Sequence, residues 1–411
     1  MRGTPRVSFP MEAMAMSKIV IVGGGAAGHK ALQRVVEISP SAEVTIISSE
    51  NTLAYERPML SKECLVDDVE PRYLALNGEL GNVRQLLGKT AEQIDRTCKQ
   101  LVLAGGERVP YDKLILATGS RPRRLLLEGS DTTDVHYLRV YSDATAIRGQ
   151  LKSGKRLVVI GGGFIGLEVA AAARKRGAQV VVLEAQPRLL ARVAPTSISH
   201  FLTQLHSKNS VQIETGVFVS AISRNASGET LIHTSEGVFH GDVVVAGIGI
   251  LPNVELAQHA GLDVDNGIVV DERCRTSDSD IFAAGEVTRH PVSNLGMSAR
   301  MECWTSASEQ GAVAGENAAG LGNKEYRDMP WLWSDQYDCS IQYLGLPLQA
   351  KTLIRHSGGS PDSWVDIGLS ASGAFLGAIG VNANRQIAEL RRALRKGSAL
   401  PSQYVPSLHP A

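Results

Sequence analysis

The apolar positions of this chain repeat one arrangement twice. Residues 157–160 (LVVI) are an unbroken apolar run, which predicts a parallel strand buried on both faces. An Ala-rich stretch at 167–176 predicts a helix, Gly177 its stop, and 180–183 (VVVL) a second strand ending in Glu184. The same order stands nearer the N-terminus. There the apolar run is 18–22 (KIVIV), the helical stripe passes through Leu32, Val35 and Val36, and a strand at 43–47 leads to Glu50.

Between strand and helix each unit carries three glycines: Gly161, Gly163 and Gly166 in GxGxxG spacing, and Gly23, Gly25 and Gly28 in the earlier unit. The first glycine of such a set permits the tight turn, the second lets a pyrophosphate approach the backbone, and the third lets helix pack on strand. The helix N-terminus offers free N–H groups and the positive end of its dipole to the phosphates. Glu184 lies about 20 residues beyond its glycines, where a carboxylate accepts from ribose hydroxyls. It would repel a 2′-phosphate, so the expected nucleotide is NADH rather than NADPH. Glu50 is placed to hold a ribose in the same way. A chain with two such units is expected to hold two dinucleotides, a flavin and the nicotinamide that reduces it.

The remaining pattern fills in around these units. Residues 111–120 (YDKLILATGS) predict a strand whose small-residue end, Ala117-Thr118-Gly119, lets backbone approach the first cofactor. The less apolar stretch 120–149 is read as the crossover to the second unit. Residues 211–223 and 230–239 predict short antiparallel strands. Strands are also expected at 242–250 and 267–275, and 280–287 (DIFAAGEV) ends in Glu286, suited to a sugar or ribityl hydroxyl. Residues 306–319 predict a helix of small residues. From about residue 326 the character changes. Trp331, Trp333 and Tyr337 cluster in PWLWSDQYD, strand-like runs follow at 341–343, 352–354 and 364–380, and 384–396 is an amphipathic helix with Ile387, Leu390 and Leu394 on one face. This reads as a third, α+β domain.

Composition narrows the class. A length of 411 residues implies two or three domains, and 43% hydrophobic with 20% charged residues is an ordinary globular balance. With 42 basic and 42 acidic residues the formal charge is zero, which argues against general binding to nucleic acid or a membrane surface. No apolar run approaches the ~20 residues that cross a bilayer. Residues 1–16 lack the apolar core of a secretory signal and are expected to be a disordered leader or a misplaced start. The five cysteines are scattered without a CxxC pair, as in a reducing cytoplasm, and no Cys/His spacing suits a metal.

Together the segments GGGAAG, YERPMLSK, LILATGS, GGGFIGLE, GIGILPN, IFAAGEV, ECWTSASEQ and PWLWSDQYD resemble the FAD-dependent ferredoxin reductases of bacterial oxygenase systems, the putidaredoxin reductase and biphenyl dioxygenase ferredoxin reductase family. The resemblance runs from Ser17 over nearly the whole chain, and PWLWSDQYD separates this group from the disulfide reductases. It implies an α/β fold with two Rossmann-like dinucleotide-binding domains in the glutathione-reductase-like arrangement, plus the C-terminal α+β domain. The expected division is an FAD-binding domain at 17–124 and 250–325, an NADH-binding domain at 125–249, and the C-terminal domain at 326–411.

By the same resemblance, Gly23, Gly25, Gly28 and Glu50 hold the adenosine diphosphate of FAD, and Ala117, Thr118, Gly119 and Glu286 meet the same cofactor. Arg57 and Lys62 lie against the flavin, and Glu168 pairs with Lys62 beside N5. Trp304 lies by the isoalloxazine and nicotinamide. Gly161, Gly163, Gly166, Glu184 and Gly247 hold NADH. Glu286 stands where the family usually has aspartate. A cation at N5 suits hydride transfer, because the reduced flavin carries negative charge.

The implied partner is a [2Fe–2S] ferredoxin serving a Rieske-type oxygenase or a cytochrome P450. The last helix offers the basic pairs Arg391/Arg395 and Arg392/Lys396 for docking it, with Arg300 the next candidate. Neither nucleic acid nor membrane is an expected partner, and monomer and homodimer are both open. The alternatives are an NADH oxidase or disulfide-type reductase, in which Cys64 would be the thiol near the flavin, a rubredoxin reductase, and a flavoprotein that signals by binding nucleic acid.

Overall fold

The computed structural model describes residues 16–52, 54–75, 82–127, 132–292, 296–395 and 400–404. The expected leader, apart from Met16, and Lys396 lie outside them.

The first apolar run becomes the strand Lys18–Val22, paired in parallel with Glu43–Ser48 on one side and Lys113–Leu116 on the other. Ile281–Ala283 and Val83–Leu87 complete a five-stranded parallel sheet. Alternate residues of the central strand feed two cores. Ile19 and Ile21 meet the helices Ala26–Ile38 and Trp304–Ala318, while Val20 and Val22 meet an antiparallel meander of Ala91–Asp95, Gln100–Leu103 and Arg108–Pro110. The two helices cross closely because small residues line the contact. A Cβ on Gly311 would fall 2.2 Å from the Ala27 carbonyl oxygen, and one on Gly315 2.5 Å from that of Ala31.

The second unit repeats the plan. Arg156–Ile160 lies between Gln179–Glu184 and Val243–Ala246, with Val211–Thr215 and Val135–His136 at the edges, all parallel. It has its own meander, Val219–Arg224, Thr230–Thr234 and Gly237–Gly241, at the equivalent place. The halves differ between their second and third strands. The second half crosses there with the helix Thr196–Lys208. The described part of the first half crosses with two single turns, Arg57–Met59 and Glu63–Val66. Where the chain passes between halves, Ser120–Pro122 and Ile250–Pro252 pair antiparallel.

The C-terminal part is an antiparallel sheet in the order Trp331–Gln336, Cys339–Gly345, Phe375–Val381, Trp364–Leu369, Thr352–Ser357. The helix Asn384–Arg395 buries Ile387 and Leu390 against it. On its other side Ile341, Tyr343, Ile379 and Val381 join the core of the second unit, and Tyr343 meets the ring of Phe164 edge to face at 5.4 Å. This packing sets the strand Trp331–Gln336 beside the helix Phe164–Lys175.

Several expected elements differ. Residues 211–223 are not one antiparallel strand: Val211–Thr215 extends the parallel sheet, and only Val219–Arg224 joins the meander. The run 364–380 is a hairpin that turns at Ser370–Gly373. Of 267–275 only Ile268–Val269 forms a strand, and Arg275 makes an isolated antiparallel bridge to Phe282 beyond Cys274, whose φ is +61°.

Candidate functional site

The glycine turns shape the site. Gly23 and Gly161 take φ of +122° and +108°, a region side chains avoid. A Cβ there would strike the carbonyl oxygen of a neighbouring turn, Ala117 at 2.0 Å or Gly247 at 2.5 Å. Cβ atoms on Gly28 and Gly166 would fall 1.9 and 2.1 Å from the carbonyl oxygens of Gly23 and Gly161, so these glycines bring helix onto strand. Gly25, by contrast, would have nothing within 4 Å of a Cβ, and Gly163 only the Gly247 carbonyl oxygen at 3.8 Å. Both helices begin there without a side-chain cap, so their first N–H groups remain for an anionic ligand.

Both turns open on one cleft of 1160 Å³, larger than the ~300–1,000 Å³ of an ordinary small-molecule pocket. Every site residue expected from the sequence lines it except Gly28 and Gly166, which sit behind the turns.

The two acids occupy equivalent strand ends and are held differently. Glu50 accepts from the Tyr55 hydroxyl at 2.5 Å and pairs with the Arg57 guanidinium at 2.5 Å. Burial is the largest single influence on Arg57 and works against its charge, but Glu50, Tyr55 and Glu286 together outweigh it and raise the pKa overall. Among the described residues Glu184 accepts only backbone N–H groups, from Gly162 at 2.6 Å and Gln186 at 2.7 Å.

Where the halves meet, Lys62 Nζ lies 2.9 Å from Glu168 Oε2, with the side chains 14% and 4% exposed. Lys62 comes from the turn ahead of Glu63–Val66 and Glu168 from the helix Phe164–Lys175. The Ser61 hydroxyl donates to the same carboxylate oxygen, and the Ser334 hydroxyl donates to Oε1 at 2.6 Å. On the facing wall Trp304 meets Trp333 edge to face at 6.4 Å, and Trp333 stacks on Trp331 at 5.1 Å. Trp304 Nε1 and the Ser120 hydroxyl are buried, belong to cleft-lining residues, and have no partner among the described residues. Such orphaned polar groups, together with the open second glycines, fit a cleft built for two dinucleotides.

Residues 17–311 match the family Pyridine nucleotide-disulphide oxidoreductase, and residues 331–405 the family Reductase C-terminal. The ferredoxin--NAD(+) reductase component of the anthranilate 1,2-dioxygenase system of Burkholderia cepacia is 41% identical over 94% of this chain and 96% of its own length. The crystal structure of the covalent putidaredoxin reductase–putidaredoxin complex matches with a TM-score of 0.87 and 32% identity, covering 92% of this chain and 93% of that one. The ferredoxin reductase for the CYP199A2 system from Rhodopseudomonas palustris matches with a TM-score of 0.88 and 31% identity, covering 95% and 98%. This chain belongs to the pyridine nucleotide-disulphide oxidoreductases. Within them it is one of the ferredoxin reductases, and its cofactors are FAD and NADH.

Several charged groups of the reductase already have partners within the chain. Arg57 lines the cleft, its guanidinium engaged by Glu50 and by the Arg139 carbonyl oxygen at 2.8 Å. On the last helix Arg395 pairs with Asp328 and with Glu309, and Arg391 lies over the Trp331 ring at 4.5 Å, with Asp328 at 3.9 Å. Neither is a free docking charge. Arg392 is exposed, and Lys396 falls outside the described residues. Arg300 is largely buried and pairs with Glu302 at 2.7 Å. Cys64 is buried in the core behind the cleft, does not line it, and has its thiol pushed up to about 11 by burial. A redox thiol needs access and a low pKa, so Cys64 does not serve the disulfide-reductase alternative.

Other cleft residues went unnoticed in the sequence. Arg139 pairs with Glu286 and Cys303 lines the wall beside Trp304. Ser61 and Ser334 reach Glu168 from separate parts of the chain. No local pattern marks these residues, apart from Ser61, Cys303 and Ser334 falling inside YERPMLSK, ECWTSASEQ and PWLWSDQYD. No helix among the described residues is long and apolar enough to cross a membrane.

Proposed function

We propose that the reductase carries electrons from NADH through FAD to a [2Fe–2S] ferredoxin, which feeds a Rieske-type oxygenase or a cytochrome P450. The observation that carries this reading is the Lys62–Glu168 pair, held at 2.9 Å between two dinucleotide turns that open on one cleft. The relatives support the acceptor, since those compared above are ferredoxin reductases by name or a reductase in complex with its redox partner.

When bound, FAD takes a hydride from NADH and gives up two electrons singly. The protein binds and orients. Gly23 and Gly25 with the start of Ala26–Ile38 receive the FAD pyrophosphate, and Gly161 and Gly163 with the start of Phe164–Lys175 receive that of NADH. Glu50 and Glu184 accept from the two adenosine riboses. Ala117, Thr118, Gly119 and Gly247 keep the walls low enough for backbone approach, and Glu286, held by Arg139, would accept from the ribityl hydroxyls. Lys62 brings a positive charge to the flavin, already fixed by Glu168, so no reorganisation is needed when negative charge develops. Leu332, Trp333 and Trp304 exclude water from that end.

The same reading divides the chain into an FAD domain at 17–124 and 250–325, an NADH domain at 125–249 and a C-terminal domain from 326. The paired crossings Ser120–Pro122 and Ile250–Pro252 support these boundaries. It also places the reductase in the cytoplasm, supported by five cysteines that are all free.

The protein with FAD is expected to be yellow and to reduce cytochrome c with NADH only when a ferredoxin is added, while reducing ferricyanide directly. A protein that stays colourless with FAD overturns the reading. Lys62→Ala should slow flavin reduction in stopped flow about 10²–10³-fold with NADH affinity little changed. The double variant with Glu168→Ala should lose less than the product of the single losses. Multiplicative losses would mean the two side chains do not act together.

A further inference from the structure

Glu168 is reached from a second direction that its contact with Lys62 does not require. The strand Trp331–Gln336 turns alternate residues toward it. Ser334 donates to Glu168 Oε1 at 2.6 Å and accepts from Gln336 Nε2 at 3.0 Å. Gln336 Oε1 accepts from His206 Nε2 at 2.7 Å, and His206 Nδ1 accepts from the Tyr337 hydroxyl at 3.3 Å. Glu168, Ser334, Gln336 and His206 are 4%, 1%, 1% and 0% exposed, so water does not substitute for these partners.

Every donor in this chain points toward the carboxylate. The Gln336 carbonyl can only accept, so His206 carries its proton on Nε2 and leaves Nδ1 for Tyr337. Burial lowers the His206 pKa, the Gln336 contact opposing it, which keeps the ring neutral and the direction intact at neutral pH. Hydrogen bonds aligned in one direction polarise one another in a low-dielectric interior. The carboxamide of Gln336 does not relay protons readily, so the chain orients Glu168 rather than conducting a proton from it.

We propose that Ser334, Gln336 and His206 are positioning residues for the Lys62–Glu168 pair, through which the C-terminal sheet aims the Lys62 ammonium at the flavin. The proposal rests on the reading of Lys62 given above. Ser334 is the one described partner of Glu168 Oε1. Without it the carboxylate turns to find another donor, and Lys62, ion-paired to the other oxygen, moves with it.

The test is the two-electron midpoint potential of the bound FAD, measured by dye equilibration without NADH. Ser334→Ala is expected to weaken the preference for reduced over oxidised FAD about tenfold, which for two electrons is a drop of about 30 mV. The stopped-flow rate of reduction by NADH should fall with it while KM for NADH stays put. Ser334→Thr, which keeps the hydroxyl, should restore both, and Gln336→Leu should shift the potential in the same direction by less. If Lys62→Ala shifts the potential and Ser334→Ala does not, the proposal is wrong and the function stands. If Lys62→Ala leaves the potential unchanged, the flavin-side reading of Lys62 falls and the proposal with it. Should Ser334→Ala fail to retain FAD, Gln336→Leu decides by the same criterion.

Discussion

The two dinucleotide halves are built from the same parts and part ways in one connection. In the second half, the link between the second and third strands first lines the cleft with Ala185, Gln186 and residues 190–193. It then forms the helix Thr196–Lys208, which packs Ile198 and Leu202 into the core and stays out of the cleft lining. In the first half, the same link carries Tyr55, Arg57, Ser61 and Lys62. Glu50 is therefore clamped by two side chains, while Glu184 is held only by backbone. The difference matches two kinds of ligand. On the reading proposed above, FAD, which must stay through many turnovers, meets the acid clamped by side chains, and NADH, which must come and go, meets the acid held by backbone.

The largest expected effect comes from closing one glycine turn at a time. Gly28→Ala and Gly166→Ala place Cβ atoms 1.9 and 2.1 Å from backbone oxygens that cannot move independently. Overpacking of this kind costs about 1–3 kcal/mol or more. Gly28→Ala should yield protein without flavin absorbance. Gly166→Ala should keep its FAD and show a KM for NADH raised at least tenfold. If both variants lose FAD, the halves are not separable and the comparison collapses.

A smaller pair of effects tests the two acids. Glu50→Ala leaves the half-buried Arg57 without its carboxylate. Losing a charge-assisted hydrogen bond costs about 1.5–3 kcal/mol, so FAD should bind about ten- to a hundredfold more weakly. Equilibrium dialysis of FAD would measure it. Glu184→Ala should leave FAD retention unchanged. It should narrow the preference for NADH over NADPH about tenfold, a like-charge penalty near 1.4 kcal/mol, read in steady-state kinetics with both donors. An FAD-free Glu184→Ala protein would refute the division of labour.

What the sequence discloses follows the same divide. The glycine turns, their flanking strands and the two acids are contiguous patterns of period and spacing, so they are legible without a structure. The Glu50–Arg57 clamp, the Arg139–Glu286 pair and the Ser334–Glu168 contact are not: the last two join residues 147 and 166 positions apart. Even with Arg57 and Glu50 close in sequence, nothing local says that the guanidinium pairs with the acid. Val211–Thr215 misleads for a simpler reason. An edge strand of the sequence VQIET shows the alternation of an antiparallel strand although its one neighbour is parallel. The basic stripe of the last helix reads as free charge, yet Asp328 and Glu309, far upstream, neutralise two of its arginines.

That neutralisation sets the smallest prediction. We propose that the ferredoxin docks where the flavin edge, Trp304 and the C-terminal domain meet. Two arginines of the last helix, Arg385 at its start and Arg392 near its end, are exposed and have no ion pair among the described residues, and Arg392 is the one nearer the Arg391 and Arg395 stripe. A charge at the rim of an interface speeds encounter more than it tightens the complex, and salt screens it over about 8–10 Å. Arg392→Glu should therefore lower the ferredoxin-dependent cytochrome c rate about two- to fivefold at low salt, with the difference closing as salt rises. Ferricyanide reduction should not change, because it needs no docked protein. Arg395→Glu is the contrast. It breaks the pairs with Asp328 and Glu309 that hold the helix in place, so its effect should appear as lowered thermal stability. If Arg392→Glu matches the wild type at every salt concentration, the charge that steers the ferredoxin lies off this helix.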